Sequence, residues 1–155
     1  MDKSALVQAI LDRLEAELAT QTAAAESSRA EATDPDSRAE GKFDMRGQSA
    51  GYLAAGQGKL AAEIADARAA YRSLVLRAFA PGEAIAIGAL VTLEARGRQE
   101  VYFLGPSRGG LELNIAGLAV TVITAASTLG KNLLGRTAGQ SLAPGLPHLR
   151  VMAVA

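Results

Sequence analysis

Residues 5–32 read ALVQAILDRLEAELATQTAAAESSRAEA. Val7, Leu11, Leu14 and Leu18 recur at alternating steps of four and three, and the seam runs on through Ala25 and Ala32 after the polar Gln21 and Ser28. That spacing is one apolar face of a long helix. From Leu53 onward, Leu60, Ile64, Ala67, Tyr71, Leu74 and Ala78 repeat it, so a second helix with a matching stripe is predicted. A helix of about 29 residues would be ~43 Å long, more than a compact domain of this size encloses. Antiparallel pairing of the two stripes solves the burial of both. Seams meeting at a constant residue sum of about 78 would set Val7 by Tyr71, Leu14 by Ile64, Leu18 by Leu60 and Ala25 by Leu53. The seam shrinks from Leu to Ala toward the far end, which predicts a thin tip.

The segment at that tip, residues 32–51, reads ATDPDSRAEGKFDMRGQSAG. Asp34-Pro35 is a turn signal or an N-cap followed by proline at the first helical position. Each of Gly41, Gly47, Gly51, Gly56 and Gly58 costs about 1 kcal/mol relative to Ala inside a helix, so the second helix starts either at Pro35 or near Gly47. Asp34, Asp36, Glu40 and Asp44 place four carboxylates in an acidic tip near residues 33–47, interrupted by Arg38 and Lys42 and followed by Arg46. Such a turn is ordinarily just solvated. Alternatively, one or two of these carboxylates share a hard cation such as Mg²⁺ with another protein's site, because the tip has too few ligands to hold a metal alone. Arg38, Lys42 and Arg46 recur every four residues and would line one helical face, where they balance the neighbouring acids or meet phosphate. Phe43 and Tyr52 are expected to pack at the end of the hairpin.

Past Pro81-Gly82 the pattern changes to β-branched and aliphatic runs. AIAIGALVTLEA, a turn at Arg96-Gly97-Arg98 and QEVYFLG predict a hairpin. Residues 106–110 read as a loop, LAVTVIT (118–124) as a strand and HLRVMAVA (148–155) as the last one. Between them STLGKNLLG reads as a short helix, with Ser127 as N-cap and Gly135 past its end. The fold class is therefore α+β: an N-terminal antiparallel helical hairpin over 1–80, then a small antiparallel sheet with one short helix over 81–155.

Lys+Arg and Asp+Glu both number 16, which disfavours a globally basic nucleic-acid binder. The first 80 residues hold 12 acids and 10 bases, the remainder 4 and 6. With no Cys and a single His, disulfides, iron–sulfur clusters, thiolate zinc sites and cysteine nucleophiles are excluded. Acids interrupt the apolar N-terminal stretch, so neither a secretory signal nor a membrane span is expected, and a cytoplasmic location is. Ser127 is explained by its cap and has no base beside it in the sequence. His148 is expected at a strand start with a satisfied ring. GPSRGG (105–110) lacks nucleotide-loop spacing and reads as a turn.

A long helical hairpin with an acidic tip, followed by a small sheet-plus-helix domain, resembles the bacterial Gre transcript-cleavage factors (the GreA/GreB family). IGALVTLE, residues 87–94, is similar to that family's first C-domain strand. VITAASTLGKNLLGRTAGQSL, residues 122–142, resembles its signature of strand, Ser-Pro, short helix, Leu-(Ile/Leu)-Gly-Lys and Gly-Asp. Here Ser127-Thr128 stands for the Ser-Pro, Gly135-Arg136 for the Gly-Lys and Gly139-Gln140 for the Gly-Asp. At the tip the family has an Asp followed three residues later by Glu. In this chain Asp34 has Ser37 at that offset, and Asp36 with Glu40 is the nearest substitute pair.

The resemblance implies a DNA-binding, cytoplasmic elongation factor whose hairpin enters the secondary channel of bacterial RNA polymerase while an FKBP-like C-domain docks at the rim. It implies no cofactor of its own and no enzymatic activity of its own, only stimulation of the polymerase's nuclease. Asp36 and Glu40 would serve metal and water, with Asp34 and Asp44 in support, and Arg38, Lys42 or Arg46 would meet phosphate of the nascent RNA. Two other readings stand beside it: a channel-binding inhibitor that does not stimulate cleavage, and a prolyl isomerase. Against the second, the C-terminal half offers only Tyr102 and Phe103, adjacent and so on opposite faces of a strand.

Overall fold

The computed structural model describes residues 2–37 and 46–155, with backbone alone at Ser37, Arg46 and Gly47. Two long helices, α1 (Lys3–Thr33) and α2 (Arg46–Arg72), are separated by a single 3-10 turn at Pro35–Ser37 and the undescribed residues. Six strands and a short helix follow: β1 (Leu90–Ala95), β2 (Arg98–Gly105), β3 (Glu112–Ile115), β4 (Leu118–Thr124), α3 (Thr128–Leu133), β5 (Ser141–Leu142) and β6 (Leu146–Val154). The class is α+β, as expected. Among the described residues no helix is long and apolar enough to cross a membrane. The chain divides into two compact units, residues 11–69 and residues 1–10 with 70–155.

In the helical unit, Leu14, Ala25, Ser28, Ala50, Ala54, Ile64 and Ala67 are buried. The antiparallel pairing is fixed by two polar links. Arg68 Nε lies 2.9 Å from Glu15 Oε2, and the buried Ser28 hydroxyl donates to Gln57 Oε1 at 2.9 Å. These are contacts between side chains; of the expected seam, Leu14, Ala25, Ile64 and Ala67 are buried. Leu53, expected in the seam, is 56% exposed, and the buried stripe runs instead through Ala50 and Ala54. Helix α2 is described from Arg46, residues 38–45 before it lying outside the described residues, and it ends at Arg72, leaving Leu74 and Ala78 beyond it.

In the other unit the strands form one sheet of order β3-β4-β2-β1-β6-β5. The sheet expected to be antiparallel contains one parallel pair, β2 with β4, because the chain first makes the edge strand β3 and then turns back into the sheet through β4. The β1–β2 turn is a two-residue one, with Ala95 opposite Arg98. Arg96 (φ 52) and Gly97 (φ 78) both adopt the left-handed conformation that such hairpins require. One face of the sheet carries the core: Val91, Leu93, Leu104, Ile123, Leu149 and Val151 pack with Ile85 and with Leu133 of α3. The Ser127 side chain caps α3 as expected, accepting from Gly130 N at 3.0 Å while donating to Thr124 O at 2.8 Å. Beyond the helix, Ile85 and Gly135–Arg136 exchange two backbone hydrogen bonds, which tie the entry to β1 to the exit from α3.

Phe103, Val120 and Val122 are buried on the opposite face. Tyr71 belongs to this unit and donates its hydroxyl to Ser107 O at 2.8 Å. Lys3 Nζ donates to Arg77 O and, at 3.3 Å, to Gly88 O. Its ammonium and the Arg77 guanidinium lie 4.9 Å and 4.1 Å from the Phe79 ring centroid. Burial, and then the charge of Arg77, hold the Lys3 ammonium below its ordinary pKa.

Candidate acidic turn of the helical hairpin

Helix α1 stops where its sequence says it must. Pro35 cannot donate a backbone hydrogen bond and disfavours a helical conformation at Asp34. Thr33 Oγ1 folds back onto Arg29 O and Ala30 O at 3.0 and 3.2 Å. Asp34 Oδ1 then accepts from Asp36 N at 2.9 Å, an Asx turn that leads into the 3-10 turn. Both Asp34 and Asp36 are exposed. One Asp34 oxygen is therefore engaged by the backbone, whereas no hydrogen bond engages the Asp36 side chain among the described residues.

Of the other predicted site residues, Glu40, Asp44, Arg38 and Lys42 lie outside the described residues, as does Phe43. Arg46 opens α2 and its side chain is likewise outside them. Among the described residues no group of three His, Asp or Glu is placed to hold a metal ion. Asp34 and Asp36 amount to two carboxylates, the number with which Mg²⁺ is commonly held when substrate phosphates complete its shell. Among the described residues, two carboxylates are too few to hold an ion alone.

Tyr52 is 72% exposed and does not pack at the hairpin end as expected, and Leu53 beside it is also exposed. The step from Leu53 to Leu60 had put Leu53 in the seam, but Ala50 and Ala54 are the buried residues there. In the sheet unit, His148 is exposed at the third position of β6. Residues 106–110 form a loop with Arg108 at φ 56 and Gly110 at φ 92. Tyr102 and Phe103 do face opposite ways: Phe103 is fully buried, while Tyr102 is partly open and donates to Glu100 Oε2 at 2.7 Å.

No protein-family model matches this chain, and no curated protein matches it. Among solved structures it is similar to the GreA factor homolog 1 (Gfh1) protein of Thermus thermophilus, with 20% identity over 94% of both chains and a TM-score of 0.36. A second structure, described as the transcription factor Gfh1, is 22% identical over 93% of this chain and 92% of that one, with a TM-score of 0.36. Gfh1 of Thermus aquaticus is 20% identical over 92% of each chain, with a TM-score of 0.35.

Proposed function

We propose that this chain is a Gre-like transcription elongation factor of the cytoplasm. In this reading the hairpin turn enters the secondary channel of bacterial RNA polymerase and stimulates cleavage of backtracked transcripts, with the nascent RNA as its second contact. The observation that carries it is the exposed Asp34–Asp36 turn at the end of two long, mutually paired helices. The Gre-like signature at 122–142 supports it from the sequence side. In the polymerase, Asp36 and Glu40 orient the attacking water and accept its proton, with Asp34 and Asp44 adding negative charge and Arg38, Lys42 or Arg46 steadying RNA phosphate. A Mg²⁺ ion shared with the polymerase would lower the pKa of that water. The chain itself is an accessory factor in this scheme.

The test uses stalled elongation complexes. Added protein should shorten transcripts from the 3′ end, and Asp36→Asn with Glu40→Gln should slow that shortening by about 10²-fold or more. No shortening with the unaltered chain would defeat cleavage stimulation. A second reading, inhibition by channel binding alone, is favoured by the Asp34 carboxylate being engaged by the backbone and by Ser37 at the position where the family has Glu. Slowed nucleotide addition without shortening would select it.

A further inference from the structure

Far from the acidic turn in sequence, the open end of the sheet's core face carries a depression of about 620 Å³. Arg98, Glu100 and Tyr102 alternate along β2 and so share this face. Their partners on β1 are Ala95, Leu93 and Val91, which fix the face as the one packed on the core. Arg96 of the turn and His148 of β6 complete the rim. The side chains of Arg96, Arg98 and His148 are exposed and have no hydrogen-bond or ion-pair partner among the described residues. Glu100 is the one acid lining the depression, and its Oε2 is held by the Tyr102 hydroxyl, which leaves Oε1 open. Burial and then Glu100 push the Tyr102 phenol up to about 12, so it stays a donor at neutral pH. Glu94 and Arg150 are opposite each other in the register of β1 and β6, on the opposite face.

We propose that this depression binds a nucleotide, its phosphate on Arg96 and Arg98, its base against the Tyr102 ring, and an exocyclic amino group of the base donating to Glu100. The parts are complementary in kind. Guanidinium groups match phosphate geometry, aromatic rings stack on bases, and carboxylates accept from base amino groups. A volume of this size accommodates a small ligand. An acidic peptide would find the same two arginines but would meet Glu100 as a like charge.

Free nucleotides and nucleotides within single-stranded RNA share this chemistry, so the experiment uses both. The intact chain is titrated with labelled GMP, labelled UMP and a labelled RNA of about twelve nucleotides, while backbone amide resonances are followed. GMP or the RNA should bind and move the resonances of Arg98, Tyr102 and His148, and GMP should bind more tightly than UMP, which has no exocyclic amino group. Arg96→Asn with Arg98→Gln keeps a residue suited to the turn and should weaken binding at least tenfold. For RNA it should also lower the salt slope by about 1.4, for two lost phosphate contacts. Displacement of RNA by GMP assigns the site to the free nucleotide, and RNA binding that GMP does not displace assigns it to the strand. Absence of binding at low salt, or affinity unchanged in the double variant, overturns the proposal. Since no polymerase is present, either outcome leaves the reading of the acidic turn untouched.

Discussion

Tyr71 and Gly105 constrain each other. The tyrosine hydroxyl donates to Ser107 O at 2.8 Å, and a Cβ placed on Gly105 would overlap that hydroxyl. Burial pushes the phenol above its ordinary pKa, so the hydroxyl remains a donor across the accessible pH range. Gly105→Ala should cost about 1–3 kcal/mol by overpacking, and Tyr71→Phe about 1–2 kcal/mol by leaving the Ser107 carbonyl unpaired. Removing the hydroxyl also relieves most of the clash, so the double variant should lose less than the two single losses added, by at least ~0.5 kcal/mol. Urea unfolding of the four proteins measures that coupling, and strict additivity would contradict the geometry. Glu83 offers a pH test. Its carboxylate accepts from Ala80 N at 2.8 Å and pairs with Arg77, and these two partners, the backbone bond first, hold its pKa below the ordinary 4.5. A depressed carboxylate contributes stability that is present above its unfolded-state pKa and lost as pH falls through the lower folded-state value. Glu83→Gln should therefore lower the urea midpoint at pH 7, and the difference from wild type should shrink as the pH falls below 4.5 and through the lower folded-state value.

Helix α2 carries Gly51, Gly56 and Gly58, and an added Cβ at any of them would meet no atom within 4 Å. Nothing in the packing calls for glycine there, so each Gly→Ala change should stabilise the helix by up to about 1 kcal/mol. Thermal melts of the three single variants should all shift upward; a downward shift would mean that these positions pack against something. The same helix shows what the sequence could and could not convey. Its existence followed from spacing alone; of the expected seam of α1, Val7, Leu14 and Ala25 are buried and Leu11 and Leu18 partly so, while Leu6 and Ile10, off that seam, are fully buried. The place of Leu53 did not follow: the distal part of the helix is alanine-rich, and Ala50 and Ala54 are buried there while Leu53 is exposed. In the sheet, the Arg96-Gly97 turn and the Ser127 cap were legible because each is a local rule. The edge strands β3 and β5, with four and two residues, carry too little alternation to be read. Strand direction, and hence the parallel β2–β4 pair, depends on contacts far apart in sequence. For the same reason Asp34 and Asp36 were legible as exposed acids, whereas the depression bordered by Arg96, Tyr102 and His148 was not, since three strands must come together to form it.

For the molecule as a whole, equal numbers of acids and bases mean that no long-range field draws it to nucleic acid, so any activity on a transcript must come from local placement of charge. The turn after α1 is where that placement can be tested directly. Asp34 is already oriented by its bond to Asp36 N, and Ser37 closes the 3-10 turn. Ser37→Glu would restore in the sequence the Asp-then-Glu offset of three that the Gre-type tip has and this chain lacks. If the tip acids act together on one water, a second carboxylate at that offset should raise the rate of transcript shortening by about tenfold or more, a fraction of what a well-placed general base supplies. The gain should disappear when Asp34→Asn is added, because the pair and not the new charge alone does the chemistry. Stalled elongation complexes treated with the intact wild-type, single-variant and double-variant chains give the answer in one gel. A rise that survives Asp34→Asn would show that extra negative charge suffices. No rise, together with undiminished inhibition of nucleotide addition, would mean that the chain occupies the channel as a blocker and that its acids serve binding instead of hydrolysis.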